Sequence, residues 1–415
     1  MHGNPIYYIF LSAVLLASRS ISCHNGEEIL DYASVAAQNN QARSVHQGDR
    51  HTQRKVAIHN VRVFDGHKLQ DPSTVIIEGA FIGRDDRDAE HIDGNGATLL
   101  PGLIDAHCHP SNLTHLQDLA RFGVTTAFVM ACYSSEMCKS LKNHSGLPDT
   151  LRSGDPASAP GSVHGTLTAM VDPTLLISNQ SQVPSWMTRQ LASNPDYIKI
   201  IAETPGLDQQ TLDLLVDQSH QGGKKVVCHA SALAAYSQAI MANVDHIHHA
   251  PLDTAITSDM VQTILYQHQV VTPTLTMMRA IAENEPETRN FQAAIDSVSM
   301  LINAGIPILA GTDANTQPSV PAMVPFGISM HDELENLVTS GLSNLEALQA
   351  ATSLPAKYFG LHDGGVIALG KRADFFLVEG NPLEDIKATR NIKTVWLAGI
   401  EYAARSNGTV TGVER

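Results

Sequence analysis

Apolar and polar residues follow two periods along this chain. Between residues 55 and 95, short β-branched runs alternate with turns, which predicts strands at 56–58, 61–64 and 74–77 with a turn at Asp65-Gly66. The tail repeats that style at 373–378 and 393–398, separated by Gly380-Asn381-Pro382. The two ends are expected to build one small β-sandwich domain from residues 55–97 and 363–405, with a short tail at 406–415. Residues 23–54 are polar and lack an apolar period, and read as an arm or linker.

The centre changes period. Leu212, Leu215, Val216 and Ser219 recur at helical spacing, Gly222-Gly223 ends that helix, and Lys225-Val226-Val227-Cys228-His229 reads as a strand. An alanine-rich helix over 232–242 follows, and another strand starts at 244–247. Repeated βα units with apolar strands mean a parallel sheet. Over roughly 250 residues this predicts an α/β fold whose centre, 98–362, is a (β/α)8 TIM barrel.

Composition narrows the function. The chain has 42 acidic and 27 basic residues, a formal net charge of −15, and 43% hydrophobic residues. That suits a globular protein and argues against nucleic-acid or anionic-membrane binding. A small-molecule substrate is the expected partner, and a homo-oligomer stays open. The apolar run at 6–17, broken by Arg19 and followed by Ser20 and Ser22, reads as the core of a signal peptide at 1–22. It is too short to span a bilayer, so the expected location is secreted or in a secretory lumen, with no membrane insertion after cleavage. Sequons at Asn112, Asn143, Asn179 and Asn407 agree with a glycoprotein. Cys132 and Cys138 are close enough to pair in an oxidising lumen, and Cys23 falls near the cleavage site. Cys108 and Cys228 alternate away from their neighbouring histidines and read as packing residues.

The chemistry gathers at strand ends. Leu103-Ile104-Asp105-Ala106-His107-Cys108-His109-Pro110 ends an apolar run in two histidines that share one face of a strand, a half-site for a metal such as zinc. Asp105 shares their parity, so it either orients one of them or packs at the strand start. Lys199 stands alone among apolar residues in Tyr197-Ile198-Lys199-Ile200-Ile201. It is either a snorkelling lysine or an amine carboxylated by CO₂, whose carbamate can bridge two metals. His229 is either packed or a ligand. The group His246, His248 and His249 ends the next strand one helix-plus-strand repeat later, and spacing does not choose between His248 and His249. Asp313 closes the apolar strand 306–313, as a ligand or as a helix N-cap.

These residues, in this order, resemble the amidohydrolase superfamily, and within it the prolidase-like and imidazolonepropionase-like branch. The resemblance runs from about residue 55 to 402. It also takes in Gly123-Val124-Thr125-Thr126, the stretch Leu345-Glu346-Ala347-Leu348-Gln349-Ala350-Ala351-Thr352, and Gly370-Lys371-Arg372-Ala373-Asp374. It implies a hydrolase with two divalent metal ions, zinc by preference. One ion would be held by His107, His109 and Asp313 and the other by His229 and His249, with carboxylated Lys199 as the bridge. It selects His249 over His248. Asp313 would take the proton of a metal-bridging hydroxide and pass it to the leaving amine. The implied substrate is an amide of dipeptide or N-acyl amino acid type, with Tyr133, His164 and Arg279 as candidate contacts. A cyclic amide or lactone would suit the same site. A metal-free binding or scaffold barrel is the reading from another class, but relatives of that kind lose ligands and none is missing here. Deaminases of the superfamily place an acid three residues beyond the strand-five histidine, where this chain has Ala232. The chain departs from the family after Lys199, where it reads Ile-Ala-Glu-Thr-Pro-Gly instead of a glycine-rich loop, and over 145–166.

Overall fold

The computed structural model describes residues 54–132, 135–316 and 320–402. The expected signal peptide, nearly all of the arm, Cys23, Tyr133, Asn407 and the tail at 406–415 lie outside the described residues. The strands are β1 Val56–Phe64, β2 Leu69–Glu78, β3 Phe81–Gly83, β4 Glu90–Asp93, β5 Thr98–Pro101, β6 Leu103–Cys108, β7 Val124–Val129, β8 Asp149–Arg152, β9 Ile198–Ile201, β10 Val226–His229, β11 His246–His248, β12 Val270–Thr272, β13 Phe375–Val378, β14 Ile392–Leu397 and β15 Ile400–Glu401.

Strands from both ends share one eight-stranded sheet, ordered β15-β14-β13-β5-β1-β2-β3 with β4 beside β1. The ends meet at β5, which runs parallel to β1 and antiparallel to β13, with Leu99 opposite Leu377 and Leu100 opposite Phe376. Ile58, Ile77, Leu99, Phe375 and Trp396 form its buried core. The sequence reads two strands at 56–58 and 61–64. They form the single β1, whose register shifts between Ile58 and Val61, where Asn60 takes a φ of 55°.

The centre is built of parallel strands and helices. Strands β6-β7-β8 form one parallel sheet and β9 to β12 another. Instead of a continuous closed ladder, the two arcs touch through isolated bridges: Ala157 to Ile200 on one side, Val271 to Ile308 and Cys108 to Ala314 on the other. At the second seam Pro307 accepts from Val271 N–H but has no N–H to return to a ladder. The expected strand at 306–313 is therefore a connecting segment. Leu309 N–H donates to Val271 O at 2.9 Å and Ala106 N–H donates to Ala310 O at 3.0 Å, which lays it between β12 and β6.

The helix Gln209–Gln221 is capped by Asp208, which accepts from Thr211 N–H, and it buries Leu212, Leu215, Val216 and Ser219 as the spacing demands. Between the arcs, Ile104, Ala106, Phe128, Tyr197, Val227, Val270 and Leu309 pack on Phe359. Phe359 lies 4.4 Å from the Phe128 ring and 5.5 Å from the Tyr197 ring. This apolar plug floors the space in which the polar residues of the strand ends converge. Cys132 and Cys138 are joined by a disulfide. No described helix is long and apolar enough to cross a membrane.

Candidate metal centre

Strand β6 carries Asp105 and His107 at alternate positions, and His109 follows directly after its end at Cys108 with the same parity. The turn carrying Asp313 is docked on this strand. The carbonyl of His107 accepts from Thr312 N–H at 3.2 Å and Asp313 N–H at 2.7 Å. Gly311 allows that approach, since a Cβ there would lie 2.9 Å from His107 N and 2.6 Å from Thr272 Cγ2. Asp313 takes a left-handed φ of 56° and caps no described helix. Its Oδ1 lies 3.0 Å from His109 Nε2 and 3.6 Å from His107 Nε2, and its Oδ2 lies 3.6 Å from His249 Nδ1.

His249 follows β11 with a φ of 77°, which swings its ring out of the strand alternation and toward Asp313. It is pinned on three sides. Its N–H donates to Thr272 O at 2.9 Å, its carbonyl accepts from Tyr236 O–H at 2.6 Å, and its Nδ1 lies 2.9 Å from Thr274 Oγ1. Thr274 is itself left-handed, with a φ of 49°. Three strained, non-glycine residues thus surround one point, as strain held in place by a functional constraint would. The ring of His229, at the end of β10, lies 4.3 Å from that of His249 and 4.2 Å from that of His164, tilted against both. His107, His249 and Asp313 bring ligand atoms within 4.8 Å of one another, close enough to hold a metal ion.

Electrostatics agree with that donor set. Burial first, and the Lys199 charge with it, push His107, His229 and His249 well below the usual histidine range. Neutral imidazoles offer the lone pairs that a cation takes. Burial likewise lowers Lys199 to about 8. Its Nζ is buried without a hydrogen-bond partner. A buried ammonium without a partner is costly, so this amine fits a residue completed by a further group.

Several expectations need correction or addition. Asp105 does not hold a ligand ring: its carboxylate accepts from the backbone N–H of His107 at 3.1 Å and from Thr312 N–H and Oγ1–H at 3.0 and 2.6 Å. Burial pushes it up to about 7. His164 does reach the centre, and its Nδ1 lies 3.0 Å from Glu203 Oε2. Burial would raise Glu203, but the hydrogen bonds from His164 and their charge hold it below the usual range. Arg279 goes elsewhere, donating to Asn336 Oδ1 at 2.5 Å and lying 4.9 Å over the Phe291 ring. Cys108 and Cys228 are buried packing residues, and burial pushes both thiols up, Cys228 to about 12. The ring of His246 lies 4.4 Å from that of Phe359 in the floor, tilted against it. Glu203 and Thr274 were not singled out from the sequence. Lys199, Ile201 and Glu203 share one strand parity, which is the signal for Glu203.

The family profile described as Amidohydrolase family matches residues 195–401. This chain carries an amidohydrolase-family domain. Over those residues the chain is of amidohydrolase type, a hydrolase. An uncharacterized protein of Mycobacterium tuberculosis is 25% identical over 287 residues, 62% of this chain and 73% of that one. An adenine deaminase of Oleidesulfovibrio alaskensis is 24% identical over 371 residues, 84% of this chain and 60% of the deaminase. The solved structure of a Xaa-Pro dipeptidase with methionine bound in its active site matches with a TM-score of 0.70 at 22% identity, covering 84% of this chain and 99% of that one. That last likeness shows a shared fold for this amidohydrolase.

Proposed function

We propose that this amidohydrolase cleaves amide bonds of dipeptide or N-acyl amino acid type in a metal-dependent reaction. The observation that carries the proposal is the buried, unpartnered Lys199 amine in the same interior as His107, His229 and His249, which burial holds well below the usual histidine range. In this reading His107, His109 and Asp313 hold one zinc ion, His229 and His249 hold a second, and Lys199, carboxylated by CO₂, joins them. The metals would supply Lewis acidity for polarising the scissile carbonyl and acidifying water. Asp313, with one oxygen toward His109 and the other toward His249, takes the water proton and returns it to the leaving nitrogen. His164, held by Glu203 beside His229, lines the substrate side. The floor of Phe128, Tyr197 and Phe359 excludes water from below.

The two parallel arcs are read as one (β/α)8 barrel with segment 306–314 as its eighth member, and the terminal sheet as its β-sandwich companion. The Cys132–Cys138 disulfide supports the secretory reading of residues 1–22. The relative whose structure holds methionine is a dipeptidase, which favours dipeptides as the first substrates to try.

The test is metal analysis of the purified chain together with turnover of dipeptides, N-acyl amino acids, cyclic imides and lactones. Stoichiometric zinc and release of a free amino acid are expected. Absence of zinc, with turnover insensitive to chelators, would overturn the proposal.

A further inference from the structure

His107 has a second neighbour besides Asp313. Its Nδ1 lies 2.6 Å from Nδ1 of His248, with ring centroids 4.8 Å apart. At that distance one nitrogen must donate and the other accept, because two lone pairs or two N–H groups would repel. On its other side, His107 Nε2 faces Asp313 Oδ1 at 3.6 Å and belongs to the group able to hold a metal. A neutral His107 that offers its Nε2 lone pair to a cation must carry its proton on Nδ1. His248 Nδ1 must then accept, with the proton of His248 on Nε2, an atom that is buried without a hydrogen-bond partner. Both rings are buried, at 1% and 0% exposure.

Strand register brings His248 to this place. In the β10–β11 ladder His229 pairs with His248, so the two side chains share one face of the sheet. Ile247 takes the opposite face. The left-handed backbone of His249 then turns the next ring back to Asp313. Three histidines of one short segment thus divide the work: His246 packs on Phe359, His248 backs His107, and His249 faces Asp313.

We infer that His248 is a positioning residue of the metal centre, the hydrogen-bond acceptor that fixes the His107 tautomer and ring orientation in which Nε2 is free to ligate. The inference rests on the proposed metal-dependent function. Ligating histidines commonly donate their second N–H to a carboxylate or carbonyl, and loss of such a partner weakens metal affinity by ~10–100-fold. Here an imidazole takes that part. An imidazole can also hold the opposite tautomer, in which it donates to His107 and the His107 proton moves to Nε2, closing that nitrogen to metal. The two tautomers differ in which ring accepts, and only the one in which His248 accepts leaves His107 Nε2 open to a metal.

The experiment compares zinc dissociation constants, by chelator competition on the full chain, for the wild type, H248F, H248Q and H248E. Phenylalanine removes the acceptor, whereas glutamine and glutamate keep an oxygen that can accept from His107. H248F is expected to bind zinc ~10–100-fold more weakly, with H248Q and H248E close to the wild type or tighter. Equal affinity of H248F and the wild type overturns the inference alone, as does equal weakening of all three variants, which would make His248 a packing residue. If H248F does not fold, ¹⁵N NMR of histidine-labelled, zinc-loaded wild type decides. A proton on Nδ1 of His107 and on Nε2 of His248 is expected, and a proton on Nδ1 of His248 overturns the inference. A wild-type chain that binds no zinc overturns the functional proposal, and this inference with it.

Discussion

Thr312 Oγ1–H donates to Asp105 Oδ2 at 2.6 Å, while Thr312 N–H donates to Oδ1 of the same carboxylate at 3.0 Å. The pair ties the strand that carries His107 and His109 to the turn that carries Asp313, across 207 residues of sequence. The relative placement of three proposed ligands thus depends on one buried carboxylate. Thr312→Val keeps the side-chain shape and removes the hydroxyl. It leaves Asp105 Oδ2 buried without that donor, which costs ~1–3 kcal/mol. Thermal melts should show the loss, and zinc content should fall because Asp313 is no longer held against His109. A variant with wild-type melting temperature and zinc content would show that the link does not position the turn.

Asp313 is asked to do two things, to hold a metal and to carry a proton. Asp313→Asn keeps an oxygen for coordination and removes the base. Loss of a positioned general base lowers kcat by ~10²–10⁴-fold. KM should change little, since the amide keeps the size and polarity of the site. Steady-state kinetics and zinc analysis on the same sample separate the two roles. Retained zinc with wild-type kcat would remove Asp313 from proton transfer.

The strand ends were legible in the sequence because strand alternation is rigid. The β6 histidines, His229 and Asp313 each close an apolar run, and each stands at the centre. What alternation does not report is backbone reversal. His249, Thr274 and Asp313 all have positive φ, and for His249 that turn is what aims a residue of the wrong parity at the cluster. Spacing therefore left His248 and His249 unresolved, and only the resemblance chose between them. Asp105 was legible as a candidate and not in its role, because its partners are backbone N–H groups and the hydroxyl of a residue 207 positions away. One interruption of the ladder has a local cause in Pro307, which is visible in the sequence. Its effect depends on which strand stands beside it, and the chain alone does not say that.

The Glu203–His164 couple gives a prediction about substrate. Glu203 accepts from both the backbone N–H of His164, at 3.1 Å, and its ring, at 3.0 Å. Glu203→Gln keeps the volume and loses the charge. A hydrogen bond to a charged group contributes ~1.5–3 kcal/mol, so kcat/KM should fall by ~10–100-fold. Zinc content should stay at the wild-type level, because Glu203 is not one of the proposed ligands. Arg279→Ala serves as the comparison. Arg279 is held by Asn336 and Phe291, and its loss should leave kcat/KM near the wild-type value. A larger effect from Arg279→Ala than from Glu203→Gln would reverse the assignment of the substrate side.

Glu333 supplies a pH dependence from outside the proposed ligand set. Its buried carboxylate caps the helix Leu275–Asn284, accepting from Leu275 N–H at 3.0 Å, Thr276 N–H at 2.7 Å and Thr276 Oγ1–H at 2.8 Å. Burial outweighs these hydrogen bonds and pushes Glu333 up to about 7, from an ordinary 4.5. The folded chain thus holds this proton more tightly than the unfolded chain does. Between those two values the native state binds more protons, and the stability contributed by this group drains away as pH rises. The contribution is fully present below about 4.5 and lost once the pH has passed through about 7. The rise corresponds to about 3 kcal/mol. Glu333→Gln cannot titrate, and with one acceptor oxygen in place of two it starts from lower stability in acid. Urea unfolding of both proteins at pH 5, 6, 7 and 8 should show the wild-type advantage narrowing as pH rises. Titrating groups that do not interact with Glu333 are common to both chains and drop out of the difference; Asp105, whose charge helps to raise Glu333 and which burial pushes up to about 7, titrates in the same range and adds to it. Parallel stability curves would mean that Glu333 keeps its ordinary affinity for the proton, and that the cap, not burial, governs its charge.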